Sequence, residues 1–130
     1  MKILLAEDDY ATRKFMMSFL SQYGECDVTV DGMEAVDAFL MALEDEEPYD
    51  LVCLDIMMPV MDGYQALMGI RNLEKQKNIP KEKEVKVIMT TALNEEQNVK
   101  MAFDLGCTIY SGKPIDQTRF EQALKKLNLI

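Results

Sequence analysis

Acidic, hydroxyl and amine side chains follow the short apolar runs of this sequence, at the points where strands would end. Three adjacent acids, residues 7–9, follow the first run, Asp55 ends the third, Thr91 ends the fourth, and Lys113 follows the fifth. In open α/β sheets, ligands bind beyond the carboxyl ends of the strands, near the point where the strand order reverses. The sequence therefore predicts that these groups converge on one site.

The predicted convergence of acids calls for a cation. If the first and third strands are neighbours, two or three carboxylates meet at short range, which is costly unless one of them protonates or a counter-ion binds. Oxygen ligands select a hard ion, and a partly hydrated octahedral site that is open to phosphate favours Mg²⁺ over Ca²⁺. We therefore predict a Mg²⁺ site.

Five apolar runs of strand length must position these groups. The runs are bounded by turn residues and span 3–6, 26–30, 51–54, 85–89 and 108–110. Segments with helical spacing of apolar residues follow them. Strands that alternate with helices imply right-handed crossovers and a parallel sheet covered on both faces, so the predicted fold is an α/β three-layer sandwich. Residues 74–86 mix Lys and Glu without apolar periodicity, which is typical of a solvated loop.

Composition predicts one folded domain over residues 1–130. The 48% hydrophobic and 28% charged residues are close to globular averages. The net charge of −9 repels nucleic acid and anionic lipid, so we expect no direct nucleic-acid binding and no membrane association. No apolar run approaches a membrane span, and the three cysteines lack the spacing of a disulfide framework or a thiolate site. We expect a cytoplasmic location.

Four segments in order resemble the receiver domain of two-component response regulators. They are LLAEDD at 4–9, LVCLDIMMPVMDG at 51–63, TA at 91–92 and KP at 113–114. Each segment alone is a weak signal, but all four at successive predicted strand ends, over the whole chain, are a strong one. The resemblance, which is to single-domain chemotaxis regulators in particular, implies a five-stranded sheet in the flavodoxin-like order 2-1-3-4-5.

The resemblance implies a role for each acid. Asp55 would be the phosphoacceptor, and Mg²⁺ would be held by Glu7, Asp8, Asp55 and the backbone carbonyl of Met57. This agrees with the residue chemistry, because an ionised carboxylate can attack phosphorus to form an acyl phosphate, while the metal neutralises developing charge. Asp9 falls outside the pair and is expected to cap the helix that begins near Tyr10.

The resemblance also implies a switch. Lys113 suits a point-charge contact with a phosphoryl oxygen, and the hydroxyl of Thr91 can donate to another. By resemblance, Thr91 shifts toward the phosphoryl group and Tyr110 turns from an outward to an inward rotamer. This alters the face formed by the fourth helix, fifth strand and fifth helix, which is the expected output surface for a downstream protein. The family also suggests a cis Lys113–Pro114 bond.

The implied partners are proteins. Histidine is absent from the chain, so the phosphoryl group must come from another protein or a small phosphodonor. The resemblance names a histidine kinase or a histidine-containing phosphotransfer protein as the donor. It describes a signalling phosphoacceptor that assists its own phosphorylation and dephosphorylation, and not an enzyme. Since the chain stops soon after the last predicted helix, we expect output by protein contact, as a monomer or a weak phosphorylation-dependent dimer.

The same residues bear on four alternative functions. A phosphatase of the haloacid dehalogenase type needs a second Asp two residues after the nucleophile, where Met57 stands. A flavodoxin-like electron carrier would find its flavin phosphate repelled by the acids at 7–9. A receiver-like interaction module that is never phosphorylated would be favoured by loss of an acid, the Thr or the Lys, and all are present. A receiver excised from a longer regulator or hybrid kinase remains an open alternative.

Two apolar side chains predict a long-lived phosphoryl group. In this family, the residues two positions after the acceptor and two after the site Thr influence the access of hydrolytic water. Here these residues are Met57 and Leu93. Because neither can orient a water molecule by hydrogen bonding, we predict slow self-dephosphorylation. Met57 and Met58 cannot both point into the core, so one of them is expected to overhang the site.

Overall fold

The computed structural model of the protein describes residues 1–92 and 96–130, except for the side chains of residues 96–98. Within these residues, five strands alternate with five α-helices, and a short 3₁₀ helix at Lys81–Lys83 precedes the fourth strand. The elements in chain order are β1 (Lys2–Ala6), α1 (Tyr10–Leu20), β2 (Glu25–Thr29), α2 (Gly32–Glu44), β3 (Leu51–Asp55), α3 (Gly63–Gln76), β4 (Lys86–Thr91), α4 (Glu96–Asp104), β5 (Ile109–Gly112) and α5 (Gln117–Lys126).

The strands form one parallel sheet in the order β2-β1-β3-β4-β5. This confirms the predicted α/β fold and its flavodoxin-like order. The order reverses between β1 and β3, which pair directly, with Ala6 opposite Leu54. On the other side of β3, Asp55 lies opposite Thr90. The residues that follow β1, β3 and β4 are therefore neighbours at the carboxyl edge of the sheet.

Helices cover both faces of the sheet. Successive residues of β3 point to opposite faces, so Val52 belongs to one core and Cys53 to the other. The first core includes Phe39 and receives α2, α3 and α4. In the second core, Phe19 of α1 and Phe120 of α5 meet edge to face, with ring centroids 5.7 Å apart. All five residues of β3 are buried, as expected for the central strand of a three-layer sandwich.

Aspartate side chains determine where four helices begin. Asp9, Asp31, Asp62 and Asp116 are the N-cap residues of α1, α2, α3 and α5, and each side chain accepts a hydrogen bond from a backbone N–H of the first turn. At Asp62 the side chain of Gln65 completes a capping box. The prediction that Asp9 caps the first helix is confirmed.

The charged segment 74–86 differs from the predicted solvated loop. Its first three residues continue α3, and Glu74 is buried with 1% of its surface exposed. Glu74 can be buried because its carboxylate accepts hydrogen bonds from the Arg71 guanidinium and from the backbone N–H of Val85. Among the described helices, none combines the length and apolar character needed to cross a membrane.

Candidate functional site

Three carboxylates lie together at the carboxyl edge of the sheet. Glu7, Asp8 and Asp55 each offer an oxygen atom, and these atoms lie within 4.8 Å of one another. Glu7 and Asp55 are buried, with 1% and 4% of their surfaces exposed, whereas Asp8 is exposed. The cluster forms because β1 and β3 are direct neighbours. The structure thus brings together the three acids that the sequence grouped.

The third acid of the first strand end, Asp9, caps α1 and is not one of the three clustered acids. The Asp9 carboxylate accepts hydrogen bonds from the backbone N–H of Thr12 at 2.9 Å and from its hydroxyl at 2.7 Å. The backbone N–H of Asp9 donates to Glu7 Oε2 at 3.1 Å, which helps to orient the Glu7 side chain. Arg13 donates to the backbone carbonyl of Glu7 at 3.2 Å. Sequence reasoning did not single out Arg13, although its place one turn after the acids was a usable signal.

Lys113 joins the two buried acids. Its ammonium nitrogen lies 2.8 Å from Glu7 Oε1 and 3.4 Å from Asp55 Oδ1. Its backbone N–H donates to the carbonyl of Thr91 at 2.7 Å, and the bond to Pro114 is cis. Burial lowers the pKa of Lys113, but the hydrogen bonds and charges of Glu7 and Asp55 outweigh burial and leave it raised. Lys113 therefore stays charged between the two carboxylates.

The single ammonium of Lys113 does not neutralise the three carboxylates of this site. Burial raises the pKa of Asp55, and the hydrogen bond and negative charge of Glu7 raise it further, to about 7, against the opposing effect of Lys113. The donor set consists of carboxylate oxygens, which suit a hard divalent ion. The residues present therefore fit Mg²⁺, with one exposed acid, Asp8, leaving the site open toward solvent.

The loop after β3 places one methionine outward and one inward. Met57 is 63% exposed, while Met58 is buried in the first core, so the prediction that only one of the pair would point inward is confirmed. The loop ends at Gly63, whose N–H donates to the Ile56 carbonyl at 2.9 Å. A Cβ at residue 63 would lie 2.4 Å from the Asp55 carbonyl oxygen, so the start of α3 can approach the site only with glycine.

Thr91 and Tyr110 connect the site to β5. Thr91 is fully buried at the end of β4, where it pairs with Gly112 of β5. Burial raises the pKa of Tyr110, whereas a side-chain hydrogen bond with Thr91 lowers it. Tyr110 is half-buried against the first core and lies against Thr91 in this structure. Leu93, the other residue of the hydrolysis prediction, lies outside the described residues.

A known protein-family model matches nearly the whole chain. The family model of the response regulator receiver domain matches residues 3–125. A probable histidine kinase 2 from Oryza sativa subsp. indica is 34% identical over 134 residues, which cover 95% of this chain and 12% of that protein. The probable transcriptional regulator ycf29 of Porphyra purpurea is 29% identical over 126 residues, which cover 96% of this chain and 55% of that protein. The chain spans less than two thirds of either relative.

Solved structures agree in fold. A chain of the CheX–CheY–BeF3–Mg²⁺ complex from Borrelia burgdorferi has a TM-score of 0.83 and 29% identity, covering 98% of this chain and 88% of that chain. The co-crystal structure of the Saccharomyces cerevisiae histidine phosphotransfer protein Ypd1 with the receiver domain of Ssk1 gives a TM-score of 0.83 and 25% identity, covering 97% and 87%. The chain therefore belongs to the response regulator receiver domain family, the receivers of two-component signalling systems.

Proposed function

We propose that Asp55 accepts a phosphoryl group and that Glu7, Asp8, Asp55 and the backbone carbonyl of Met57 hold Mg²⁺ for this reaction. The observation that carries the proposal is the cluster of three carboxylate oxygens within 4.8 Å of one another. Bound Mg²⁺ supplies charge neutralisation for the carboxylates and the transferred group. The Borrelia burgdorferi relative, whose structure contains Mg²⁺ and BeF3, supports this choice of metal.

The chain's own residues account for the remaining steps. An Asp55 carboxylate oxygen attacks phosphorus, the new oxygen–phosphorus bond forms, and the bond to the donor breaks with its electron pair leaving on the donor. Lys113 lies 3.4 Å from Asp55 Oδ1 and can transfer this contact to a phosphoryl oxygen. Glu7 holds the ammonium at 2.8 Å, and the N–H of Asp9 holds Glu7. The nucleophile and its cation are therefore positioned before a donor arrives.

The phosphoryl group then acts on a switch made by Thr91 and Tyr110. The Thr91 hydroxyl moves to a phosphoryl oxygen, and Tyr110, whose side chain shares a hydrogen bond with Thr91, takes up its inward rotamer. Tyr110 belongs to β5, so its displacement alters the face made by α4, β5 and α5. A downstream protein that binds this face reads the state of Asp55.

The donor in this proposal is a histidine kinase or a histidine-containing phosphotransfer protein. The receiver domain of Ssk1, solved together with the histidine phosphotransfer protein Ypd1, supports a donor of this class. The proposal treats residues 1–130 as one domain, a monomer or weak phosphorylation-dependent dimer, located in the cytoplasm, where the free thiols of Cys26, Cys53 and Cys107 would stay reduced. Its protein function is signalling and not turnover of a substrate.

Intact-mass measurement after treatment with acetyl phosphate tests the proposal. Wild type should gain about 80 daltons, the mass of one phosphoryl group, with Mg²⁺ and not with EDTA. Asp55→Asn should gain nothing, while the matched control Asp37→Asn, at an exposed acid of α2, should behave as wild type. An unmodified wild type, or an adduct that persists in Asp55→Asn, would contradict it and favour a receiver-like interaction module.

The lifetime of the phosphoryl group remains a separate prediction. Met57 is apolar and exposed beside the acceptor, so it excludes or fails to orient water. Decay of the phosphorylated form should be faster in Met57→Asn, because an amide can hydrogen-bond an attacking water. An unchanged lifetime would remove this idea without affecting the assignment of Asp55.

A further inference from the structure

A buried ion pair lies at the amino edge of the sheet, opposite the acidic site. Nη1 of Arg71 lies 2.7 Å from Oε1 of Glu74, and the two side chains are 12% and 1% exposed. Both residues belong to the last part of α3. The mechanism proposed for Asp55 does not use them, so their burial needs another explanation.

The pair ties three separate parts of the chain together. Arg71 donates from Nε at 3.0 Å and from Nη2 at 2.7 Å to the carbonyl of Gly106, and from Nη1 at 3.0 Å to the carbonyl of Val85. The second oxygen of Glu74 accepts from the N–H of Val85 at 2.7 Å. We call these four residues the Arg71 clamp. It fastens α3 to the residue before β4 and to the turn between α4 and β5.

Gly106 is shaped for this contact. Its φ of +104° is a conformation that side chains with a Cβ rarely adopt, and an added Cβ would lie 3.1 Å from Arg71 Nε. The turn therefore brings its carbonyl to the guanidinium without steric conflict. Such a two-donor contact from one guanidinium fixes the orientation of the carbonyl as well as its position.

Helix α4 has few other attachments among its described side chains. Ala102 is the buried one, whereas Met101 and Phe103 are 42% and 47% exposed. After the helix, the Cys107 N–H donates to the Ala102 carbonyl at 3.0 Å, and Thr108 is hydrogen-bonded to β4. Among the described contacts, the carboxyl end of α4 is therefore held through the turn that the clamp fixes.

We infer that the Arg71 clamp is the fixed point that positions α4 and the start of β5, and that this corner opens as a local unit when the clamp is lost. A buried charge left without its partner is costly, and a small unit with little buried surface can open without global unfolding. The link to signalling rests on the proposed function, because α4 and β5 belong to the proposed output face. The clamp holds one end of β4 and β5, whose other ends carry Thr91 and lead to Lys113.

Two cysteines serve as internal reporters. Cys107 directly follows Gly106 and is 7% exposed, while Cys53 lies in the centre of β3 with 0% exposed. Labelling with iodoacetamide, read for each cysteine by peptide mass, therefore separates opening of the corner from unfolding of the whole domain. The half-buried Cys26 checks that the reagent is active.

The decisive comparison is Arg71→Gln against Arg119→Gln, which removes an exposed guanidinium on α5. In Arg71→Gln, labelling of Cys107 should rise roughly ten- to a hundredfold, the loss expected for one charged hydrogen bond, and Cys107 should still be labelled faster than Cys53, because opening the corner costs less free energy than unfolding the domain. Gly106→Ala places a methyl group against the Arg71 guanidinium and strains the turn, so it should give the same pattern. Labelling of Cys107 no faster than that of Cys53, with each rate corrected for the reactivity of that thiol in the unfolded protein, or no rise at Cys107, would overturn the inference.

Wild type provides a test that needs no variant to fold. With labelling followed across increasing urea below the unfolding transition, opening at Cys107 should depend on urea less steeply than opening at Cys53, because less surface is exposed. Equal dependence would overturn the inference. Phosphorylation of Asp55 is measured separately on the same proteins, so failure of the clamp and failure of the proposed function give different results.

Discussion

Both edges of the sheet carry buried carboxylates and a cationic side chain, but the ratio of carboxylates to cations differs. At the amino edge, the buried carboxylate of Glu74 has a guanidinium on one oxygen and a backbone N–H on the other. At the carboxyl edge, the buried carboxylates of Glu7 and Asp55 share the single ammonium of Lys113. A buried carboxylate that has a cation of its own holds structure in place, whereas two buried carboxylates that share one cation are able to bind another.

The largest expected effect is at the amino edge. Arg71→Met leaves the buried Glu74 carboxylate without its cation and should lower the free energy of unfolding by about 3 to 5 kcal/mol. Urea denaturation measures the change. The control Arg119→Met, at an exposed position on α5, should change it by no more than about 0.5 kcal/mol. If the two variants were equally stable, the clamp would contribute little and the comparison of the edges would fail.

Removing a charge at the carboxyl edge should raise the free energy of unfolding, which is the opposite of the effect at the amino edge. In Mg²⁺-free buffer at about pH 8, Asp55→Asn should stabilise the fold by about 1 to 3 kcal/mol, because it removes a buried charge beside Glu7. The pKa of Asp55 is raised from 3.8 to about 7, so the folded protein holds this proton more tightly than the unfolded chain. The stability of wild type should therefore fall as the pH rises from about 4 through about 7. Above about pH 7 Asp55 is ionised in both states, so this loss of stability changes no further.

The stabilising effect of Asp55→Asn should accordingly fade toward about pH 4, where Asp55 is protonated in both states. Asp37→Asn, at an exposed acid, provides the matched control. A difference between Asp55→Asn and wild type that stayed constant with pH would show that the buried charge at Asp55 is not the cause.

Adding Mg²⁺ should stabilise one edge and leave the other unaffected. At about ten times its dissociation constant, Mg²⁺ should raise the free energy of unfolding of wild type by about 1.4 kcal/mol. Arg71→Gln should gain the same increment, since the clamp lies at the far edge, whereas Asp8→Asn should gain less. Thermal unfolding with and without Mg²⁺ measures these increments. An equal gain in Asp8→Asn would remove Asp8 from the metal site.

The smallest effect should separate adjacent acids. Asp9→Ala removes the N-cap of α1 and should cost about 1 kcal/mol of stability. Its affinity for Mg²⁺, measured by titration calorimetry, should stay close to that of wild type, in contrast to Asp8→Asn. A loss of Mg²⁺ affinity in Asp9→Ala as large as that in Asp8→Asn would mean that the cap also serves the metal site.

The grouping of residues at the carboxyl edge could be predicted from the sequence because the order of strands alone brings them together. Short apolar runs predict strands, strands alternating with helices predict a parallel sheet, and the ends of parallel strands meet at one edge. Glu7, Asp55 and Lys113 are therefore placed together before any distance is known. The order of Met57 and Met58 could not be predicted, because strand alternation no longer applies once β3 ends at Asp55.

The amino edge could not be predicted, and the reason is physical. Glu74 opens a segment rich in Lys and Glu, where composition favours solvent exposure. Its burial depends on Val85, 11 residues later, and on Arg71, whose guanidinium also reaches Gly106, 35 residues along the chain. The three-residue spacing of Arg71 and Glu74 on one helix was the only local signal, and such pairs are common on exposed helices.

The close approach of α3 to Asp55 has a consequence for the direction of signalling. Residue 63 has no room for a methyl group, and its N–H is bonded to the Ile56 carbonyl, so the peptide that carries Asp55 is braced by a 14-residue helix. We therefore expect little retreat of this backbone when a bulky charged group is added to the carboxylate. Under the proposed phosphorylation of Asp55, we therefore expect the shift to occur in β4 and β5, which carry Thr91 and lead to Lys113, and the absence of a side chain at residue 63 is what makes this bracing possible.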